Sequence, residues 1–463
     1  MSGKKTILSR TGIALALILV LGLLAPTSGA AGSPASPTVA PEPAGNAVVQ
    51  WNRIAAEAAL NACLAPTNNP LHESRMYAMM HIATHDALNA IKHRSRPYAF
   101  KGHAHHASPE AAVASAARTT LVNALSELTP PFSDCVADSG AIAAVEADYT
   151  TALAAIPDGP AKVSGISLGR QSAYTILANR ATDGSDTPLF AADFPQGDDP
   201  GEYRFTPGFT FAFAPKWGKV DPFILRKANQ FRIDPPYALD SKKYAADVDE
   251  VKRLGGDDVT TPSDRTADET EMARFWVESS PLLWNRIARQ LATDHKLNLW
   301  QSARLFGLLD IALSDGYVAT FAKKYNLLFW RPVTAIQLAG TDGNAATDAD
   351  LTWTPLVTTP PIPDHDSGHS VEGGAASAVL RGFFRTDDME FSTCSHTSLP
   401  GSRCDDASPV VRHFTSFSEA AKENARSRML VGFHFTHATT VGIRHGVKIG
   451  NLTVRQTLQP RHR

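Results

Sequence analysis

Two cations near the middle of the chain have a spacing that could serve anion chemistry. Lys324 and Arg331 are seven residues apart, about two helical turns, so both side chains can point the same way. Pro332 would end or redirect the helix directly after Arg331. The apolar run 327–330 indicates an interior setting, although the same two residues would also fit a solvated helix face. Two buried cations that converge repel each other unless an anion lies between them.

A second segment combines a hydroxyl, a glycine and a histidine. Residues 363–370 read Pro-Asp-His-Asp-Ser-Gly-His-Ser, which predicts a turn leading into a helix of small residues. The Ser367 hydroxyl and the Gly368 N–H are suitable donors to an oxyanion at a helix N-terminus, and His369 could act as an acid or base. A helix N-cap by Ser367 beside an uninvolved histidine explains the residues equally well.

A third segment contributes Arg428 and His434, six residues apart. On one continuous helix they would be rotated by about 600°, leaving them about 120° apart. Gly432 could break the helix and let both face one site. Together the three segments supply three cations, a hydroxyl, a glycine N–H and two histidines. Such a set fits a tetrahedral oxyanion such as phosphate or vanadate.

The composition excludes several classes of protein. The chain has 463 residues, of which 43% are hydrophobic and 19% charged, as in ordinary globular proteins. Lys plus Arg total 44 against 46 for Asp plus Glu, so a strongly basic nucleic-acid-binding protein is not predicted. Four cysteines are too few for a miniprotein held together by disulfides.

The amino terminus has the pattern of an export signal. Three basic residues precede an apolar run at 11–25, and small residues follow at 28–30. This pattern predicts a Sec-type signal peptide over 1–30 and a secreted, periplasmic or extracellular protein. The apolar run is shorter than the ~20 residues that a membrane anchor needs. A later apolar stretch at 305–321 is interrupted by two aspartates, so no stable membrane insertion is predicted.

The rest of the chain reads as mainly helical. Residues 31–46 are rich in Ala, Pro, Ser and Gly and predict a flexible linker. Residues 183–222 predict a long ordered loop, and 47–463 a single all-α domain with its motif-bearing core at about 298–455. Apolar residues three or four apart predict helices at 74–92, 111–128, 140–155, 161–181, 240–254, 266–278, 282–293, 298–324, 368–383 and 416–431.

Export would permit disulfide bonds. Cys394 and Cys404 are ten residues apart in a Ser-, Gly- and Pro-rich stretch, where a bridge closing a loop is plausible. Cys63 and Cys135 would then form the second pair. Four cysteines allow three pairings, so this one is a preference.

The three polar segments, in this order, resemble the three-part signature of the vanadium-dependent haloperoxidases and the related type-2 phosphatidic acid phosphatases. Residues 303–332 and 423–434 are similar to the chloroperoxidase-like branch, and the resemblance covers roughly 50–455. It implies a fold built around two four-helix bundles. It also implies that His434 ligates vanadium axially, or is phosphorylated in a phosphatase, and that His369 is the acid/base. The remaining residues would bind the anion's oxygens: Lys324, Arg331, Arg428, Ser367 and Gly368.

The resemblance implies an enzyme that holds vanadate and oxidises a halide with hydrogen peroxide for transfer to a small organic acceptor. An alternative is a soluble acid phosphatase that works through a phosphohistidine in the same pocket. A second alternative is a non-catalytic phosphate- or vanadate-binding protein. A further alternative is a hydrolytic zinc site, with an oxygen from Asp364 or Asp366. Its histidines would be His365, His369, His434 and His437. It is disfavoured because no His-Glu-x-x-His motif is present. The oligomeric state and the halide are left open.

Four positions depart from the family pattern or stay open. Asp366 stands where a proline usually precedes Ser-Gly-His, and would raise the electrostatic cost unless it points away or binds a cation. Ala438 stands where relatives often have an aspartate four residues after the last histidine, so another group, such as a backbone carbonyl, must orient that histidine. Ile362 replaces the His or Phe that separates brominating from chlorinating relatives. Glu278 is a candidate partner for Arg428.

Overall fold

The computed structural model describes residues 45–461, and this part of the chain is mainly helical. The predicted signal peptide and residues 31–44 of the predicted linker lie outside the described residues. The helices are α1 Ala47–Asn61, α2 Pro70–Ile91, α3 Pro109–Ser126, α4 Phe132–Ser139, α5 Ala141–Ala154, α6 Pro160–Arg180, α7 Lys242–Leu254, α8 Ala267–Phe275, α9 Ser280–Asp294, α10 Leu299–Leu327, α11 Pro332–Gln337, α12 Gly368–Phe384, α13 Phe417–Leu430 and α14 Thr436–Gln456.

The all-α class and all ten predicted helices are confirmed, with ends that differ by a few residues. The prediction missed α1, α4, α11 and α14. Helices α4 and α11 are short, with 8 and 6 residues. Helix α14 has 21 residues but includes glycine and β-branched residues, which are weak helix formers. Its stability comes from packing rather than from local preference.

Two small antiparallel pairs of strands and two 3₁₀ helices, Trp217–Lys219 and Ala339–Thr341, complete the described secondary structure. Strand β1 (Phe190–Ala191) pairs with β2 (Ala212–Phe213), and β3 (Asp388–Thr393) pairs with β4 (Arg412–Ser416). The first pair lies in the predicted loop 183–222. That loop is tied to the segment before the Ser-Gly-His motif, because the Phe213 N–H donates to the Pro361 carbonyl at 2.8 Å.

Helix α10 links two groups of packed helices. It packs against α2, which also contacts α1, α3 and α6. It also packs against α12, which contacts α13 and α14. The two groups agree with the expected pair of helical bundles. Because α10 belongs to both, it joins the amino-terminal half to the half that carries the polar motifs.

Among the described residues, only α10 is long and apolar enough to cross a membrane, and its most apolar window is 94% buried by the rest of the protein. Its two aspartates have partners inside the fold. Asp315 accepts N–H groups from 223–225 at 2.5 to 2.8 Å, and Asp310 accepts the Asn285 amide at 2.6 Å. These bonds explain how carboxylates are accommodated in a buried helix.

Helices α12 and α14 approach so closely that their backbones touch. A Cβ atom added to Gly446 would lie 1.9 Å from the Val371 carbonyl oxygen. A Cβ atom added to Gly442 would lie 2.8 Å from the Ser367 carbonyl oxygen. Glycine is therefore required along this face of α14. The contact holds the beginning of α12, and with it the Ser-Gly-His motif, against α14.

The structure confirms both preferred disulfides, Cys63–Cys135 and Cys394–Cys404. It corrects the end of the predicted linker. Asn46 is the N-cap of α1, and its side-chain amide donates to the Leu297 carbonyl at 2.8 Å. The remaining domain boundaries stay predictions.

We predict that Gly446→Ala lowers the free energy of unfolding by about 1–3 kcal/mol, because the added methyl group must separate two packed backbones. The better helix preference of alanine offsets at most about 1 kcal/mol of this loss. Urea unfolding of the mature chain measures the change. Gly340→Ala is the matched control, because its Cβ would lie 3.9 Å from the Ala349 Cβ. Equal effects of the two substitutions would contradict the role given to the close approach.

Candidate active site

The three polar segments meet where α10 ends, α12 begins and α13 gives way to α14. Lys324 lies in the last turn of α10, and its Nζ donates to the carbonyls of Pro363 and Asp364 at 2.8 and 2.7 Å. Helix α10 ends because Leu328 takes a left-handed conformation, with φ of 47°. The chain then turns, and Arg331 becomes the N-cap of α11. The expectation that Pro332 ends or redirects this helix directly after Arg331 is wrong, because α10 already ends at Leu327 and Pro332 is the first residue of α11.

Arg331 contacts both of the other segments. Its Nε donates to the Ile362 carbonyl at 2.5 Å and its Nη1 to the Phe433 carbonyl at 2.7 Å. The same Nη1 lies 3.0 Å from Nε2 of His434 and 3.4 Å from its Nδ1. The guanidinium thus brings the chain before α12 and the chain before α14 together.

Gly432 breaks the helix as predicted and brings Arg428 and His434 to one site. It has a φ of +83°, which other residues rarely adopt. The chain turns back, so that the His434 N–H donates to the Arg428 carbonyl at 3.2 Å. Arg428 itself donates from Nη1 to the Trp276 carbonyl at 2.6 Å, and its buried Nε has no partner in the described structure.

Ser367 is the N-cap residue of α12, but its hydroxyl makes no capping hydrogen bond to the helix. Ser370 Oγ donates to Ser367 Oγ at 2.9 Å. Because that bond uses Ser367 Oγ as an acceptor, its own O–H is free to donate elsewhere. Gly368, with an N–H at the first turn of α12, follows directly. This arrangement favours the anion-donor interpretation of Ser367 over the simple N-cap.

His369 is partly exposed, and its Nε2 lies 3.1 Å from the Glu278 carbonyl. Burial and the positive charge of Arg428 hold the pKa of His369 well below its usual value. Burial and Arg331 do the same for the pKa of His434. Both rings are therefore neutral near pH 7, as a ligand, nucleophile or general base must be.

Three buried cations share this site, and burial lowers the pKa of each of them. Burial, together with Arg331, lowers the pKa of Lys324 well below its usual range. Burial and Arg331 also lower the pKa of Arg428 to about 9. Of the nearby carboxylates, Asp364 has a pKa raised by burial to about 7 despite Arg331 and Lys324. A multiply charged oxyanion would neutralise the cations and use the free donors at Ser367 Oγ and Arg428 Nε.

Comparison with known proteins identifies the same segments. Residues 304–462 match the model of the VCPO second helical-bundle domain. The vanadium chloroperoxidase of Curvularia inaequalis is 25% identical over 279 residues, which cover 48% of this chain and 45% of that protein. The chain thus spans less than half the length of this curated relative.

Solved structures extend the likeness over most of the fold. The first bacterial vanadium-dependent iodoperoxidase is 23% identical with a TM-score of 0.72, covering 90% of this chain and 98% of that one. An apo-type bacterial vanadium-dependent chloroperoxidase is 15% identical with a TM-score of 0.66, covering 86% of this chain and 96% of that one. These matches relate the chain to the vanadium-dependent haloperoxidases.

Asp366, which departs from the family pattern, is directed into the protein. Its carboxylate is buried and accepts the Thr320 hydroxyl at 2.7 Å. It also lies 2.8 Å from Nδ1 of His445 on α14. Burial alone would raise the pKa of Asp366, but His445 and Thr320 bring it to about 2. Asp366 therefore links α10, α12 and α14 at the position where the pattern that the three segments resemble usually has a proline.

Two expectations about partners are wrong. The Glu278 carboxylate binds Arg286 at 2.7 and 2.9 Å and His396 at 3.0 Å, not Arg428. Burial alone would raise the pKa of Glu278, but Arg286 and His396 outweigh burial and lower this pKa to about 2. His434 is held by a carboxylate and not by a backbone carbonyl, because its Nδ1 lies 2.8 Å from Oδ1 of Asp364. Asp364 entered the sequence analysis only as an oxygen donor to zinc.

The histidines of the zinc alternative are divided between different environments. His365 Nε2 lies 2.8 Å from the Asp234 carbonyl, and His437 stacks on Tyr237 with ring centroids 3.7 Å apart. Within 45–461, no three His, Cys, Asp or Glu side chains form a group that could hold a metal ion. The donors near His434 are cations and hydroxyls, which suit an oxyanion and not a bare metal cation.

We predict that orthovanadate and phosphate raise the melting temperature of the protein. Binding to the folded state alone adds about 2.7 kcal/mol at a ligand concentration 100 times Kd. Lys324→Met should abolish this shift, because a buried cation is lost from the site. Lys323→Met is the matched control and should keep the shift, because this neighbour is only half-buried. A shift that survives Lys324→Met would contradict the assignment of the anion site.

We also predict that acid destabilises the protein partly through His369. In the unfolded chain this histidine takes up a proton below about pH 6.5, whereas the folded protein, with a lowered pKa, keeps it neutral. The contribution therefore decreases stability as the pH falls below 6.5, by up to about 1.4 kcal/mol per pH unit. Urea unfolding between pH 7.0 and 5.5 should show a shallower slope for His369→Gln. His413→Gln, at an exposed position, should keep the original slope.

Proposed function

We propose that the protein is a secreted vanadate-dependent haloperoxidase that oxidises a halide with hydrogen peroxide, for transfer to a small organic acceptor. The observation that carries the proposal is the meeting of Lys324, Arg331 and Arg428 beside a neutral His434, in a chain related to this family. Vanadate, when bound, would supply a Lewis acid that activates peroxide without changing its oxidation state.

The chain's own residues would act as follows. Lys324, Arg331 and Arg428 would bind the negative oxygens, and Ser367 Oγ and the Gly368 N–H would donate to them without adding charge. His434 would hold the vanadate through Nε2. His369, partly exposed and free of strong bonds to other side chains, would accept and return the proton of the incoming peroxide.

The signal-peptide pattern at 1–30 supports export, because its removal would take away no residue of the described helices. The two disulfides agree with an oxidising compartment. Sequencing of the mature amino terminus after expression in a secreting host tests this part of the proposal. A mature chain that begins near residue 31 and is found outside the cytoplasm is expected. Retention of residues 1–30 in an intracellular protein would contradict it.

A phosphatase is the second candidate function. The observation that favours it is the bond between Asp364 and Nδ1 of His434, since a histidine nucleophile also needs its other nitrogen held by an acceptor. Phosphate and vanadate are tetrahedral and similar in shape, so the same cations would bind either. A non-catalytic anion-binding protein would keep the cations but would not need His369.

The deciding experiment is a paired assay on the mature protein. We expect bromide- and peroxide-dependent halogenation of a phenolic indicator after vanadate loading, and no hydrolysis of a chromogenic phosphate ester without vanadate. His434→Ala should abolish halogenation, and His369→Ala should reduce it by about 10²–10⁴-fold, the range for loss of a general acid–base. His413→Gln serves as the control. Phosphate release that vanadate inhibits, without halogenation, would move the protein to the phosphatases.

A further inference from the structure

The two nitrogens of the His434 ring face different chemical groups. Nδ1 lies 2.8 Å from Oδ1 of Asp364. Nη1 of Arg331 lies 3.0 Å from Nε2 and 3.4 Å from Nδ1. The His434 and Asp364 side chains are almost completely buried, so water does not compete freely for these positions. The environment of the ring is therefore set by the protein.

These contacts select one tautomer of the neutral ring. When Asp364 is ionised its oxygens only accept hydrogen bonds, so the nitrogen facing it must carry the hydrogen. A guanidinium has only donors, so the nitrogen nearer to Arg331 is the one that keeps its lone pair. Both conditions are met when Nδ1 is protonated and Nε2 is not. Nε2 then carries the one acceptor lone pair of the ring, which faces Arg331 in this structure and would bind a metal centre or phosphorus in its place.

Asp364 also controls the position of the neighbouring cation. Its backbone carbonyl accepts Lys324 Nζ at 2.7 Å, and its N–H donates to the Phe329 carbonyl at 2.9 Å. The residue is thus fixed by the end of α10 and the chain that follows it. One residue therefore couples Lys324, through its main chain, to His434, through its side chain.

We propose that Asp364 is the positioning residue for His434, fixing the Nδ1–H tautomer and directing the Nε2 lone pair to the anion site. It would take over the task of the aspartate that relatives often carry four residues after the last histidine, where this chain has the buried Ala438. The identity of the bound anion rests on the proposed function, but the hydrogen bond and the tautomer do not. The carboxylate also makes the Nε2 lone pair more basic, and therefore a stronger ligand for a metal centre.

The first test measures the tautomer directly. Protein labelled with ¹⁵N in histidine only is studied by long-range ¹H–¹⁵N correlation, which distinguishes Nδ1–H from Nε2–H in a neutral ring. His434→Gln assigns the signal by its loss. We expect a pure Nδ1–H form in the original protein and an Nε2–H form, alone or mixed, in Asp364→Ala. An unchanged Nδ1–H tautomer in Asp364→Ala would overturn the proposal.

The second test measures binding without any turnover. Isothermal titration with orthovanadate, and separately with inorganic phosphate, should show affinity reduced by about 10–100-fold in Asp364→Ala, the usual effect of losing a partner of a metal-bound histidine. Asp364→Asn keeps an acceptor oxygen without the charge, so it should retain the Nδ1–H tautomer and lose less affinity. Asp364→Asn also replaces Asp364→Ala in both tests if the alanine variant does not fold.

A matched control separates positioning from general destabilisation. In α2 the buried Asp86 Oδ1 lies 2.8 Å from Nδ1 of His85, the same distance as in the Asp364 pair. Asp86→Ala breaks a comparable buried pair in the amino-terminal bundle and should leave the His434 tautomer and the anion affinity unchanged. Equal loss of affinity in Asp86→Ala and Asp364→Ala would refute a specific positioning role.

The same experiments separate this inference from the proposed function. A wild-type protein without halogenation or phosphate release, whose affinity still falls in Asp364→Ala, would contradict the proposed function and support the positioning role. A fully active wild type, with an unaffected tautomer and affinity in Asp364→Ala, would support the function and overturn the positioning role.

Discussion

Mutual repulsion of three positive charges in a buried pocket is the constraint that shapes this protein. Lys324, Arg331 and Arg428 are each at most 3% exposed, and the main carboxylate among them, Asp364, has a raised pKa. Such a group of charges does not assemble spontaneously and must be imposed by the surrounding fold. Main-chain carbonyls do much of this work, since each cation donates to at least one of them. The repulsion among the three cations is relieved when a negatively charged oxyanion binds between them.

The fold brings these groups together by placing each of them at the end of a helix. Helix α10 brings Lys324 to its last turn, α12 brings Ser367 and Gly368 to its first, and α13 brings Arg428 to its last. Backbone contact between α12 and α14 holds the N-terminus of α12 in place, and Asp366 ties the same turn to α10 and α14. The amino-terminal helices contribute by packing against α10.

Much of this could be predicted from the sequence, because helical spacing and short motifs are local signals. The ten helices with clear periodicity and the helix break at Gly432 were accessible for that reason. Helix α14 was not, since its glycines weaken the local signal and its stability comes from α12. The partners of Glu278 and His434 were also out of reach. Asp364 lies 70 residues from the histidine that it binds. Which arginine binds Glu278 depends on the path of the chain in three dimensions, which local patterns do not indicate.

Helix α10 also bears on how the protein is divided. The region that matches the family domain begins at residue 304, inside a helix that runs from 299 to 327. Its amino-terminal turns are covered by α2, and its carboxy-terminal turn presents Lys324. A cut at the family boundary would therefore remove the capped start of the helix and expose its apolar side to water. Because α10 belongs to both bundles, we expect them to unfold as one cooperative unit. Protection of the site from hydrogen exchange would then depend on helices that contribute no group to it.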